Sequence, residues 1–175
     1  MLRPYKGTMP KLGSRVYVDE SAQVIGDVEL GDHSSVWMNA VVRGDVHSIR
    51  IGPYTNIQDN CVVHVFKDKH PTVLADHVTV GHSVTLHGCR IDSWCLIGMG
   101  AIVLNDAHIG EECIVAAGTV IPEGMVVPPR SLVMGLPGKF RRQITEEERQ
   151  GLRQYAANYY DYKETYLQEA AAKKP

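Results

Sequence analysis

His64, His82 and His87 are the residues of this chain best placed to do chemistry, three of its eight histidines. Three neutral imidazoles with one position left open make the ligand count of a catalytic zinc site, where a structural site is closed by four protein ligands. The same rings also serve as plain hydrogen-bonding groups at interfaces. His33, His77 and His108 fall at turn or outward positions and are expected to be solvated. Choosing between metal and interface requires knowing which elements carry the rings.

Aliphatic residues return at every sixth position through most of the chain. The runs are Val18 to Val42, Ile51 to Val63, Leu74 to Leu86 and Ile91 to Val133. Four residues after these lies a second, mostly small register that includes Ala22, Ala40, Cys61, Cys95, Ala101 and Cys113. Glycine follows several of the aliphatic positions, as in Leu30-Gly31 and Ile97-Gly98. A strand alternates with period two and a helix repeats near 3.6, so neither alone gives a sixfold return. A short strand followed by a tight turn does, with the large residue inside and glycine relieving backbone strain at the turn. The pattern therefore predicts an all-β solenoid, a parallel β-helix of hexapeptide repeats in which three units close one coil. A β-sandwich would show strict two-residue alternation with turns every eight to twelve residues.

The repeat frame then places the side chains. Val42, Val63 and Leu86 fall on one face in successive coils if residues 64–73 bulge as a loop. The residues just after them, Arg43, His64 and His87, form an outward column. On the preceding face Ile57 and Val80 carry Asp59 and His82 two positions on, and these also stack. Outward groups on adjacent faces of a convex prism diverge. One chain is therefore not expected to gather all three imidazoles, whereas a threefold assembly would bring His82 of one copy to His64 and His87 of the next.

With 175 residues and a net charge of −2 the chain has material for a sizeable core and no basic cluster, so neither nucleic acid nor an anionic membrane is an expected partner. No apolar stretch reaches bilayer length, and Met1-Leu-Arg-Pro-Tyr does not read as a signal peptide. The four cysteines have no zinc-knuckle spacing, and three occupy the small interior register. They read as packing residues in a reducing, cytoplasmic location. The solenoid with its N-terminal capping strand is expected over 1–138, and Gly135-Leu136-Pro137-Gly138 breaks it. A C-terminal helix and tail are expected over 139–175, within the same domain. Thr145 and Glu148 form a capping box that starts the helix, which should end near Ala172 before a frayed Lys-Lys-Pro tail. Leu152, Tyr155, Tyr159, Tyr162, Tyr166 and Leu167 make its expected packing stripe.

The set Arg43-Gly44-Asp45, Asn56-Ile57-Gln58-Asp59, His64 and Gly81-His82-Ser83-Val84-Thr85-Leu86-His87-Gly88-Cys89 resembles the γ-class carbonic anhydrase family and its bacterial relatives. The likeness spans nearly the whole chain, and the hexapeptide period alone would not separate this family from acyltransferases. The resemblance implies a homotrimer of left-handed β-helices with Zn2+, or alternatively Fe2+ or Co2+, between subunits. Its ligands would be His64 and His87 from one chain and His82 from the neighbour. By the same match Arg43 and Asp45 brace the interface, Gln58 and Asp59 orient metal-bound water with Asn56 nearby, and Tyr159 leans over the site. The implied reaction is reversible hydration of CO2 to bicarbonate by a metal-bound hydroxide, as a lyase.

Two departures bear on rate. The founding member of the class has a glutamate directly after its Arg-x-Asp, where this chain has Val46, and an acidic loop where this chain has Phe66-Lys67-Asp68-Lys69-His70-Pro71. Without those proton-exporting acids, hydration is expected to be slow. His70 has a suitable unperturbed pKa, near 6.5, for a replacement shuttle. The competing functions are acyl transfer or acyl-CoA thioester hydrolysis on the same fold, and a non-catalytic, metal-binding trimeric scaffold.

Overall fold

The computed structural model describes residues 1–172 and shows a β-solenoid of about seven turns with a C-terminal helix laid along it. Three walls make the prism. One carries Val41–Arg43 of the long strand Val41–Ile51, then Val62–His64, Thr85–His87, Ile102–Val103 and Val120–Ile121. The second carries Ile49–Ile51 of that same strand, Thr72–Leu74, Arg90–Ile91, His108–Ile109 and Val126–Val127. The third runs from Tyr17–Val18 through Ser35–Val36, Asn56–Ile57, Thr79–Val80, Leu96–Ile97 and Ile114–Val115 to Ser131–Met134. Each strand pairs in parallel with the equivalent strand one coil away, about 4.8 Å along the stack.

The sixfold aliphatics fill the interior. From Val24 to Val133 they are all buried, as are the small residues of the second register, and only Val18 is half-buried. Glycine's place in the repeat has a different cause from the expected one. Gly31 and Gly98 have ordinary negative φ; a Cβ on them would stand 2.6 Å from Pro53 N and 2.5 Å from Ala117 N of the next coil. Close stacking of coils demands them, whereas the left-handed turns fall two residues later and are mostly not glycine. At one corner Arg15, His33, Tyr54, His77, Trp94, Glu112 and Arg130 all adopt φ between 52° and 60°. Each costs on the order of 1 kcal/mol, and the backbone N–H of each from His33 onward bonds to a carbonyl of the previous coil.

The expected solvation of His33 and His77 does not hold, because this corner is a ladder of stacked rings. Tyr54 stacks on His33 and on His77 at 4.9 Å, and His77 stacks on Trp94 at 3.8 Å. His108 is partly exposed, with Nε2 2.7 Å from Asp92 Oδ2. The N-terminal segment does cap the first coil, Leu2–Arg3 and Lys11–Leu12 pairing in parallel with Gln23–Leu30. One strand went unforeseen. Lys139–Gln143 turns back and pairs antiparallel with Ser131–Met134, so sheet continues past the 138 boundary. Its side chains are exposed throughout and carry no apolar period for a pattern to detect.

The helix, α1, spans Glu146–Ala172, and its capping box is formed: Glu148 N donates to Thr145 Oγ1 at 3.1 Å and Thr145 N to Glu148 Oε2 at 2.8 Å. The Lys-Lys-Pro tail lies outside the described residues. The expected packing stripe holds in part: Leu152 is buried, and Tyr159 and Tyr166 pack on Trp37, but α1 also buries Ala156 and Lys163, while Tyr155 and Tyr162 are exposed at the edges of clefts beside the contact. The helix runs back along the corner ladder. Arg149 meets Glu112, Arg153 lies over Trp94, Tyr160 packs on Tyr54, and Glu164 pairs with Arg15. One helical turn rises about 5.4 Å, close to the spacing of one coil, so successive turns reach successive rungs.

Glu112 anchors the start of this contact. Its nearly buried carboxylate receives Arg130 at 3.0 Å, Arg149 at 3.1 Å and Arg153. Burial opposes its ionisation, but the hydrogen bonds and charges of Arg153 and Arg149 prevail and hold the carboxyl below its ordinary range. Glu112→Gln is expected to cost about 2 kcal/mol, below the usual cost of breaking a buried pair because the arginines still reach water. Hydrogen exchange should rise in residues 146–156 before the solenoid core. Since the folded pKa is depressed, this contribution is complete above the unfolded value of about 4.3 and fades as pH falls through the folded one.

Candidate metal centre

The loop expected over 64–73 bulges without disturbing the rotation. Val42, Val63 and Leu86 are in register on the first wall, and Ile51, Leu74 and Ile91 on the second. His64 therefore sits directly beside His87, their ring centroids 5.1 Å apart and His64 Nδ1 3.2 Å from His87 Nε2. Two nitrogens bound to one tetrahedral zinc at 2.0–2.1 Å would lie roughly 3.3 Å apart. The pair already has that spacing.

Each ring is braced from behind. His64 Nε2 is 2.9 Å from Asp45 Oδ1, while Asp45 Oδ2 accepts from Arg43 Nη1. Burial opposes Asp45's ionisation, but the bonds from His64 and Arg43 outweigh it and keep the carboxyl below its usual range. An ionised carboxylate only accepts, so the proton lies on His64 Nε2. His87 Nδ1 lies 2.7 Å from Asn105 Oδ1, and Asn105 Nδ2 donates to Glu123 Oε1 at 2.6 Å. With both rings neutral, the two facing nitrogens each present a lone pair. Such an arrangement wants an electrophile between them. The donor set fits a divalent cation of the zinc type.

His82 stands apart, at the corner after Thr79–Val80 of the third wall. Its Nδ1 is 2.9 Å from Asp59 Oδ2, the stacked pair expected from the phase. Its Nε2 is 3.5 Å from the hydroxyl of Tyr159, reaching in from α1. Burial, with Asp59 nearby, pushes the Tyr159 phenol up to about 12, so it stays protonated at neutral pH. His82, Gln58 and Tyr159 line one end of a cleft of about 380 Å³ whose remaining wall is largely apolar, with Leu96, Ile114 and Val115. Gln58 and Asn56 are buried; Gln58 Nε2 donates to Asn56 Oδ1 at 3.1 Å, and Asn56 Nδ2 to Thr79 Oγ1 at 3.1 Å.

One chain thus brings together His64 and His87, with Arg43 and Asp45, and separately His82, with Asp59 and Tyr159. Among the described residues no group of three or more His, Cys, Asp or Glu is close enough to hold a metal within a single chain. His70 joins neither group: its Nδ1 is 3.5 Å from Asp106 Oδ1, in a pocket with Cys89 and His108 that shares no residue with the His82 cleft. All four cysteines are buried, and burial raises the Cys61 and Cys89 thiols to about 12, which makes them packing groups. Asn105 and Glu123 escaped the sequence reading because Leu104 breaks the column at the position after Val103. Carrying the frame one residue further, to the second position, would have found both.

No family model matches the chain. Full-length relatives do. "Protein YrdA" of Escherichia coli is 40% identical over 181 residues, covering 100% of this chain and 98% of that protein. A "Probable carbonic anhydrase" of Methanocaldococcus jannaschii is 47% identical over 154 residues, covering 88% of this chain and 96% of its own. The crystal structure of a hexapeptide transferase family protein from Anaplasma phagocytophilum superposes with a TM-score of 0.91 at 40% identity, covering 95% of this chain and 98% of that one. With motifs, fold and full-length relatives in agreement, this chain belongs to the γ-class carbonic anhydrase family of hexapeptide-repeat proteins.

Proposed function

We propose that this chain catalyses the reversible hydration of CO2 to bicarbonate at a metal centre shared between copies of a homotrimer. His64 and His87 come from one copy and His82 from its neighbour. The observation that carries the reading is the pair of facing ring nitrogens 3.2 Å apart, each ring held by an oxygen on its far side. Neutral imidazoles suit Zn2+, with Fe2+ or Co2+ as alternatives. When bound, such a cation supplies Lewis acidity and lowers the pKa of a bound water to about 7, a value taken from carbonic anhydrase itself.

The chain's own residues do the rest. Asp59 holds His82 by Nδ1, so Nε2, beside the Tyr159 hydroxyl, is the nitrogen left for a metal. Asn56 engages the Gln58 amide nitrogen, which fixes the side chain where it borders the cleft. Tyr159 stays a neutral hydroxyl beside His82, able to donate or accept without taking a charge. Arg43 and Asp45 lock His64. Val46 is no acid and the Lys67–Lys69 loop is net basic, with Asp68 its single carboxylate, which leaves little to receive the proton released each turnover and makes the rate slow. Four buried thiols agree with a cytoplasmic, reducing setting, and no helix among the described residues is long and apolar enough to cross a membrane.

Stopped-flow CO2 hydration by zinc- and cobalt-loaded protein tests the proposal. Turnover above the uncatalysed rate is expected with at least one metal. If both fully loaded forms match buffer alone, the hydratase reading fails and a metal-binding scaffold remains. Acyl transfer is favoured by one observation, the apolar length of the His82 cleft, larger than CO2 requires. Acyl transfer from acetyl-CoA by zinc-free protein would establish it instead.

A further inference from the structure

The structure assigns Asn105 and Glu123 as a positioning pair that sets which nitrogen of His87 carries the proton. The inference rests on the shared metal site proposed above. Glu123 Oε1 takes the hydrogen bond from Asn105 Nδ2 at 2.6 Å, which settles the orientation of the amide and turns Oδ1 toward His87. Asn105 Oδ1 only accepts, so the proton of neutral His87 sits on Nδ1, 2.7 Å away, and Nε2 is left bare toward His64. Without Glu123 the amide is free to rotate and offer Nδ2 instead, which would draw the proton to Nε2 and close the site.

Gly88 makes the arrangement possible. It adopts φ +59°, and a Cβ there would lie 2.8 Å from Asn105 Oδ1 and 3.0 Å from His70 Cβ. The amide fills the space that a side chain would take. His64 has a carboxylate behind it and His82 another, so His87 alone is braced by an amide, and the charge that orders it lies one coil further along, in exposed Glu123.

The test uses the full chain, labelled with 15N-histidine and stripped of metal. Long-range 1H–15N spectra should show His87 bare at Nε2 in the wild type. In Asn105→Leu and Glu123→Ala the proton should move to Nε2 in a large share of molecules. Zinc affinity, titrated separately, should fall about 10- to 100-fold in Asn105→Leu, the range typical of lost groups behind a ligand. The swapped pair Asn105→Asp with Glu123→Gln keeps the donor–acceptor chain and should restore both readouts to within about threefold. Glu123 is exposed, so its variant separates positioning from folding. An unchanged His87 tautomer in both single variants, or zinc affinity within twofold of the wild type in Asn105→Leu, would overturn the assignment. Wild type that shows the expected tautomer yet binds no zinc would count against the metal site and leave Asn105 and Glu123 in their role.

Discussion

Ile109→Asp should yield no folded protein. Ile109 is fully buried, in register with Ile91 and Val127 of the neighbouring coils. The substitution deletes a large side chain from a close-packed interior, at about 2–5 kcal/mol, and leaves an unpaired carboxylate there, at several more. A domain stable by about 5–15 kcal/mol does not survive that sum. Ile109→Val at the same position should cost only about 1 kcal/mol and keep the fold, which separates charge burial from general sensitivity. Circular dichroism and soluble yield decide the matter. A soluble, fully structured aspartate variant would mean that the sixfold residues do not face the interior.

His82→Ala should abolish stoichiometric zinc binding while leaving the solenoid intact. The ring is partly exposed at a corner, outside the buried interior, so its loss costs the fold little. For a site in which each ligand contributes about 3 kcal/mol, removing one weakens binding roughly a hundredfold or more. Because one copy of the residue would serve each site, every site in the assembly should empty together, as in His64→Ala. Metal analysis alongside solution mass checks this. Full zinc stoichiometry in the His82 variant would refute a centre shared between subunits.

The sequence made the walls legible because the interior accepts one shape at a fixed interval, and a wrong residue there is costly. The same regularity carried side-chain position outward: the His64–His87 and Asp59–His82 stacks both appear where the frame puts them. Legibility ended where no period constrains the residue. Lys139–Gln143 has no buried side to betray its pairing, and α1 docks through Leu152, Ala156 and Lys163 as well as through Tyr159 and Tyr166, a mixed set that no apolar stripe marks out. Lys163 is fully buried because its ammonium is paired with Glu164 and lies over the Tyr160 ring, a neutralisation no apolar period reveals. The glycines were located by the pattern for the wrong reason, since proximity to the next coil is a tertiary property. Asn105 and Glu123 act through hydrogen bonds between coils, which a one-dimensional reading sees only when it is continued past an interruption.

The near match between a helical turn and a coil gives α1 the character of a key cut for one lock. Slipping the helix by a turn would carry Arg153 from Trp94 and Tyr160 from Tyr54 to the neighbouring rungs. The ends would not agree. Glu164 reaches Arg15 and Arg149 reaches Glu112 together in one alignment only, so the count of rungs between them is fixed by the eleven to fifteen residues separating Arg153 and Arg149 from Glu164. A relative that gained a coil inside this stretch would have to gain about one turn of helix between the same charges.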